Sequence, residues 1–543
     1  MRIRSNRCLR GATAGMALAV AAGGLLSGCG LKPKPLSLQE RQTVLTEDQA
    51  VLFTQQEPVT QPLTLYEAMA RALKYNLDHR VKMMEKAVAE GGATLARFDL
   101  LPQLMADAGY RDRTNFNASS SKAIETGEQS LVTSTSQDRT RYLGDLVFRW
   151  NILDFGVSYF RAQQEGNRAL IAEENRRKIS HKLMQDVRNA YWRAVSAQRT
   201  EREILPVLEE ASEALALSRE AEQEKLQSPL EALQYRRALV EIVRRLETLL
   251  EQQKMAKAEL MGLLNLPLNR PVPLAEPENP DQMALPALDL PITRMEELAL
   301  QLRPELRQEM YQTRISVAET RKALLRLLPG VEVNFGGHYD SNSYLLNQNW
   351  AEIGAQISKN VMELLSAPAA IENADNQKAL ADSRRLAAHM AILTQVHLTQ
   401  EQLSLAKKQY EWSRELDDLT QKINQHTENS VMNEAMSPLQ RIRSSVEAVL
   451  TKLQRNQAFA DVQAATGQLY VSLGIDPLPD AVDGHDVKSL AKALKAVDFE
   501  WMQGHFPQLQ TAPRSTGENG INGKEKGGDA ISSRFDHSDR TSG

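Results

Sequence analysis

Apolar positions recur every three to four residues over most of this chain. In two places in each half the pattern switches to alternation. The helical period predicts helices over about 65–100, 157–226 and 230–264, and again over about 294–327, 370–436 and 438–474. Alternation predicts strands near 103–117, 141–154, 331–341 and 351–361, each long enough for the about 9–11 residues a tilted strand needs to cross an outer membrane. At 1.5 Å per residue the helix over 157–226 spans about 105 Å, and the two shorter helices of each half together nearly match their long one. Two short helices stacked end to end along a long one make a cylinder wall. Within 157–226, Ala190, Ala197, Ile204 and Ala211 fall seven apart, with Val187, Ala194, Leu208 and Leu215 in the partner positions and Glu201 as an interruption. That is a coiled-coil seam. Pro206 lies inside it, where the lost hydrogen bond costs about 3 kcal/mol, so a kink or break is expected there.

The pattern is written twice. Glu67-Ala68-Met69-Ala70, Asp78-His79-Arg80 and Leu100-Leu101-Pro102 are matched in order by Glu296-Glu297-Leu298-Ala299, Glu305-Leu306-Arg307 and Leu327-Leu328-Pro329. Each half then brings Gly with Tyr, a polar loop and an alternating tract. The tracts end at Trp150-Asn151-Ile152-Leu153-Asp154 and Lys359-Asn360-Val361-Met362-Glu363, and Ser228-Pro229-Leu230 and Ser437-Pro438-Leu439 recur later. Repeats are therefore placed at 63–264 and 294–474, with a Pro-rich connector at 265–293.

Tyr110, Tyr142, Phe148, Trp150, Tyr339, Tyr344 and Trp350 sit near the strand ends, as an interfacial girdle requires, and 118–140 is a polar, Ser/Thr-rich loop. Four strands cannot close a barrel, and an open edge in lipid leaves backbone groups unpaired. Two copies would supply eight strands, a bore filled by side chains, and three would supply twelve; three copies fit a conduit better.

The leader sets the compartment. Arg2, Arg4, Arg7 and Arg10 precede an apolar stretch, 12–26, too short to span a bilayer. Its Leu26-Ser27-Gly28-Cys29 ending resembles a bacterial lipobox, so 1–28 is expected to be removed and Cys29 to carry covalent lipid. Gly30 after the cysteine favours the outer membrane. Residues 29–62 read as an extended tether, and 475–543 as a C-terminal extension, disordered from about 510. Cys8 leaves with the leader, so the mature chain has no second cysteine for a disulfide or a thiolate metal site. A net charge of −4 with interspersed signs gives no nucleic-acid footprint. HExxH, GxSxG, CxxC and dinucleotide fingerprints are missing, and Gly517 to Lys524 departs from a phosphate loop. The nine histidines read as surface residues, and Asp417-Asp418 as a solvated acidic pair. No enzyme activity, metal or cofactor is expected.

Over about 60–475 the chain resembles the TolC-like outer membrane factor family. Leu63-Thr64-Leu65-Tyr66-Glu67-Ala68, Asn76-Leu77-Asp78, Leu101-Pro102, Trp150-Asn151-Ile152-Leu153-Asp154-Phe155-Gly156, the duplication and Leu469-Tyr470-Val471-Ser472-Leu473-Gly474 carry the resemblance. It implies a mainly α protein with membrane β. Duplicated strand-strand-long-helix units would form a homotrimeric twelve-stranded barrel, continued by an α-helical coiled-coil periplasmic tunnel. It implies a passive outer-membrane conduit for efflux or type I secretion, docked at its helical tips by a periplasmic adaptor and an inner-membrane RND or ABC transporter. Lys225, Leu226, Ser228 and Glu231 resemble a docking tip, with Ser437 and Leu439 at the second; Ser228 and Pro229 equally suit a helix cap and first turn. Asn424 to Met436 reads as a longer second connection, and Gln440 and Arg443 stand where some members place gating aspartates. The competing reading is a lipid-anchored periplasmic coiled-coil scaffold or adaptor without a pore.

Overall fold

A computed structural model describes residues 34–54, 56–223, 229–268, 270, 272–276, 285, 290–432, 438–479 and 482–507. Cys29, Lys225, Leu226, Ser228, Ser437 and the 517–524 tract lie outside them. The helices are α1 (Leu38–Leu52), α2 (Leu65–Tyr75), α3 (Leu77–Phe98), α4 (Ile152–Gln223), α5 (Pro229–Leu263), α6 (Ile292–Leu302), α7 (Pro304–Leu325), α8 (Glu363–Met432), α9 (Pro438–Leu473) and α10 (Val487–Met502). The strands are β1 (Gln103–Asp112), β2 (Ala118–Ser119), β3 (Ser134–Thr135), β4 (Thr140–Asn151), β5 (Gly330–Asp340) and β6 (Asn349–Ser358).

The long helices carry the fold. α4 has 72 residues and α8 has 70, while their partners α5 and α9 have 35 and 36. α3 and α5 both pack on α4, α7 lies against both long helices, and α9 packs on α8 and α4. Val187, Ala190, Ala194, Ala197, Ile204 and Ala211 are buried, as the seam predicts. Lower down, Ile204, Ala211 and Leu215 meet Leu239 and Leu246 of α5 and Ile442, Val446 and Leu450 of α9.

Pro206 does not break α4, which runs helical on both sides of it. The proline is exposed, whereas Ile204 beside it is fully enclosed. The packed face therefore holds the helix across the missing hydrogen bond.

Each predicted first helix is two helices. Asn76 leaves α2 with an extended backbone (φ −64°, ψ 128°), donates its N–H to the Ala72 carbonyl, and accepts the His79 N–H on its side chain. Arg303 likewise leaves α6 with an extended backbone (φ −61°, ψ 124°) and donates its N–H to the Ala299 carbonyl, without a side-chain cap, and Pro304 explains why: a residue before proline is driven out of the helical region. The second connection is also shorter than expected, because α8 continues to Met432. α5 and α9 end alike. The Asn265 and Gly474 backbones have positive φ (54° and 71°), and Leu266 and Ile475 donate back to the carbonyls of Met261 and Tyr470 in Schellman closures.

Both flanking segments are more structured than expected. Instead of a wholly extended tether there is α1, started by a Ser37–Glu40 capping box and exposed along its length. After it, Leu63 pairs with Leu274 of the connector, and the Tyr191 hydroxyl donates to the carbonyls of both Leu63 and Ala275. α10 was not anticipated, although its Asp486 cap and its buried Val487, Leu490, Leu494 and Trp501 follow helical spacing. It docks on α2 and joins the cluster around Met69, Val187 and Leu260.

Candidate channel wall, girdle and tips

Asn151 is both the end of β4 and the start of α4, where its side chain accepts the N–H groups of Leu153 and Asp154 (3.0 and 3.2 Å). Asn360 accepts the Met362 N–H before α8 (3.1 Å). These two asparagines turn each hairpin into a long helix. At the far end the connecting loops are tied together: the Asp138 N–H donates to Asn342, whose amide donates to the Ser136 carbonyl (both 2.9 Å).

The hairpins form one antiparallel sheet in the order β1-β4-β5-β6. Residues directly opposite in such a sheet share a face. One face carries Leu104, Ala106, Ala108 and Tyr110; Tyr142, Gly144, Leu146, Phe148 and Trp150; Val331, Val333, Phe335, Gly337 and Tyr339; and Ala351, Ile353, Ala355 and Ile357. Within that set there is no charge; Asp112, at the loop end of β1, follows Tyr110 on the same face. The other face carries Asp107, Arg111, Arg141, Asp145, Arg149, Glu332, His338, Asp340 and Glu352, with Met105, Leu143 and Val147 among them. Apolar side chains on the first face are open to the surroundings, Ile353 at 76 % and Leu104 at 67 %. From Tyr142 to Trp150 the apolar face extends about 26 Å, the height of a barrel's lipid band. Trp350 departs from the expected girdle: the register puts it on the polar face, stacked on His338 with ring centroids 5.2 Å apart. Among the described residues, β1 and β6 each have one edge without a partner strand.

No family model and no curated protein sequence matches this chain. Its structure is similar to that of CusC, whose solved structures concern folding and transmembrane channel formation: TM-score 0.59, 15 % identity, 78 % of this chain and 96 % of that one. It is similar to the Campylobacter jejuni CmeC outer membrane channel, with TM-score 0.59, 13 % identity and 78 % and 90 % coverage. The Vibrio cholerae outer membrane protein VceC gives 0.58, 13 %, 76 % and 96 %. The chain has the TolC-like outer-membrane channel fold.

The channel fold is gathered midway along its helices by a buried polar girdle. Arg188 of α4 and Asp498 of α10 pair at 2.5 Å, their side chains 4 % and 6 % exposed, and Arg188 also reaches Gln463 of α9 (3.2 Å) and the Tyr470 ring. Tyr66 of α2 donates to Asp498 at 2.9 Å. Burial and then the Asp498 carboxylate push the Tyr66 hydroxyl up, so it stays a donor. Nearby, Asp476 accepts from His181 (2.7 Å) and Arg177 (2.9 Å). Burial works against its charge, yet these bonds hold its pKa down at about 2. His181 and His79 are thus buried, not surface residues: His79 is fixed by the Leu73 carbonyl, and burial followed by Arg176 holds its pKa below the usual value. Asp417 is buried too, paired with Arg455 at 2.7 Å, which rules out the solvated reading for it; Asp418 is exposed beside Lys422.

At the tips, Glu231 is exposed in the first turn of α5. Leu439 is half-buried against the lower cluster that holds Leu239 and Ile442. Arg441 pairs with Glu210 of α4 and Arg443 is exposed, so these two positions put arginines at the second tip. Among the described residues, no group of three or more His, Cys, Asp or Glu is placed to hold a metal, and no helix is long and apolar enough to cross a membrane.

Proposed function

We propose that this chain is the outer-membrane conduit of an export system and works as a homotrimer. The observation that carries the reading is a four-stranded sheet with one face that is uncharged except for Asp112 at the loop end of β1, one charged face and, among the described residues, two unpaired edges. In lipid such edges must be closed, and joining β6 of one copy to β1 of the next keeps every pair antiparallel. Three copies give twelve strands, lipid-facing outside and polar within. The same ring places α8, which follows β6, beside α3 of the next copy, which precedes β1. Both helices expose apolar rows at heptad spacing that this chain leaves uncovered: Val81, Val88 and Leu95 on α3, and Leu398, Leu405, Trp412 and Leu419 on α8.

The equal element order of the halves, with their matching Asn turns and Schellman ends, supports reading 63–264 and 294–474 as duplicated units. Cys29 would carry the lipid that holds the barrel's periphery in the outer leaflet region. The tips, with Lys225, Leu226, Ser228, Glu231, Ser437 and Leu439, would dock a periplasmic adaptor, and through it an inner-membrane RND or ABC transporter that supplies the energy. The deciding experiment is the mass of the lipidated protein in mild detergent together with its conductance in planar bilayers. A trimer that conducts supports the conduit. A monomer without conductance returns the protein to the anchored-scaffold reading.

A further inference from the structure

α1 stands uncovered in its own chain. Every residue of Leu38–Leu52 is exposed, and a helix of 15 residues is marginal in water by itself. Yet Leu38, Leu45 and Leu52 fall seven apart along one side of it. Its foot is fixed: the Asn265 amide donates to the Leu52 carbonyl at 2.9 Å, and Gln56 donates to the Asn265 carbonyl at 2.6 Å. α3 starts at the same level, because the Asn76 amide donates to the Leu263 carbonyl at 3.1 Å.

Chain length sets the direction of α1. From Leu77 to Phe98, α3 climbs about 33 Å toward the sheet, so the foot of α1 lies about that far below it. Residues 29–37 separate Cys29 from α1 and reach about 30 Å when fully extended. A descending α1 would put Leu38 about 55 Å below the sheet, out of reach of a membrane-bound lipid, and a level one would use the whole length. α1 must climb beside α3. In the proposed ring that is the boundary between copies, where α3 lies beside α8 of the adjacent copy.

Over this height α8 exposes two apolar faces. Leu380 continues the row of Leu398 and Leu405, while Leu365, Ala379, Leu386 and Met390 form a second row about a third of a turn away. α3 is a single helix and covers one of them. Four residues separate helix from sheet both at α3 and at α8, so heights on the two compare directly. Leu45 and Leu52 lie about 22 and 33 Å below the top of α3; Ala379 and Leu386 lie about 24 and 35 Å below the top of α8. Arg41, the one cation of α1, comes within about 3 Å of the height of Glu372 on the same face.

We propose that α1 of each copy packs on this second face of α8 in the adjacent copy, so that the lipid anchor of one copy straps its neighbour. The inference rests on the trimeric reading and on lipid at Cys29. Leu45 and Leu52 then cover Ala379, Leu386 and Met390, with α1 parallel to that α8 and antiparallel to its own α3.

The test is disulfide formation in the full lipidated chain, where Cys8 has left with the leader and Cys29 is acylated, so that no native thiol competes. L52C and L386C in differently tagged, co-expressed copies should join the two tags at least about tenfold more than L52C with L365C, which lies about 30 Å higher on the same row. Hydrogen exchange of the isolated trimer gives a second readout: amides of 38–52 should be protected, and L386D should lower that protection at least about tenfold. Either result supports the strap. A trimer that shows neither, or a disulfide formed only within one copy, overturns the strap and leaves the conduit intact. A protein that is monomeric by mass overturns both readings together.

Discussion

Removing the Asp498 carboxylate should release α10 from the helical girdle. In D498A, Arg188 keeps its charge and its enclosure but loses its 2.5 Å partner, retaining only Gln463 and the face of Tyr470. Stranding one member of a buried pair costs about 3–5 kcal/mol. If that cost falls on the docked state of α10, the docking equilibrium shifts by a few hundred-fold to a few thousand-fold, at about 1.4 kcal/mol per factor of ten. Opposing it are the apolar anchors Val487, Leu490, Leu494 and Trp501, worth about 1.5–3 kcal/mol each when fully buried. Ordering the segment consumes much of that gain, so the helix cannot absorb the loss. The assay is hydrogen exchange of the purified channel: amides of 487–502 should lose at least about a hundredfold in protection, while the seam around Ile204 stays protected. The double variant R188M/D498L, which removes both charges and keeps apolar volume, should restore protection, because a buried pair replaced by packing is often neutral. Wild-type protection of α10 in D498A would refute the assignment of the pair as its anchor.

Four further outcomes are expected. If the sheet closes into the proposed trimeric barrel, I353K, which places a cation on the apolar face of β6, should destabilise it by about 2–4 kcal/mol in lipid vesicles, whereas Q356K on the polar face should cost little, both read by denaturant titration. G474A should cost at least about 1–2 kcal/mol in a thermal melt, since its backbone is left-handed and an added Cβ would lie 2.7 Å from the Arg303 nitrogen. Asp476 has a folded pKa below its unfolded one, so its contribution is present above the ordinary carboxylate range and is lost as pH falls toward about 2. D476N should therefore melt below the wild type at pH 7, by about 1 kcal/mol or less because the carboxylate is half exposed, and the gap should close in acid. Replacing Leu226 and Ser228 with bulky charged residues should abolish export while leaving the proposed trimer intact on native gels; normal export would remove the first tip from the proposed docking surface.

Period and landmark order in the chain determined the long helices, the four strands and the side chains of the seam. Those features depend on spacing alone, because 3.6- and 2-residue repeats read directly onto faces. Asn151 and Asn360 were visible as landmarks before their work as strand-to-helix caps was. Pro304 and the Ser37–Glu40 box carried local signals for the split at Arg303 and for α1. The α10 pattern was likewise present, though a charged tail obscured it.

Tertiary structure decided what pairing and burial decide. Trp350 alternates like its apolar neighbours, and only the register with His338 puts it on the polar face. Asp417, His79 and His181 look like surface residues in sequence, yet each is enclosed by a partner far along the chain or by a neighbouring helix. Pro206 carries a helix-breaking signal, but enclosure of Ile204 on the opposite face outweighs one missing hydrogen bond. Sequence spacing fixes which side chains share a face; which faces meet, and which charges end up paired, follows only from long-range packing, because those distances are set by strand register and helix docking across hundreds of residues.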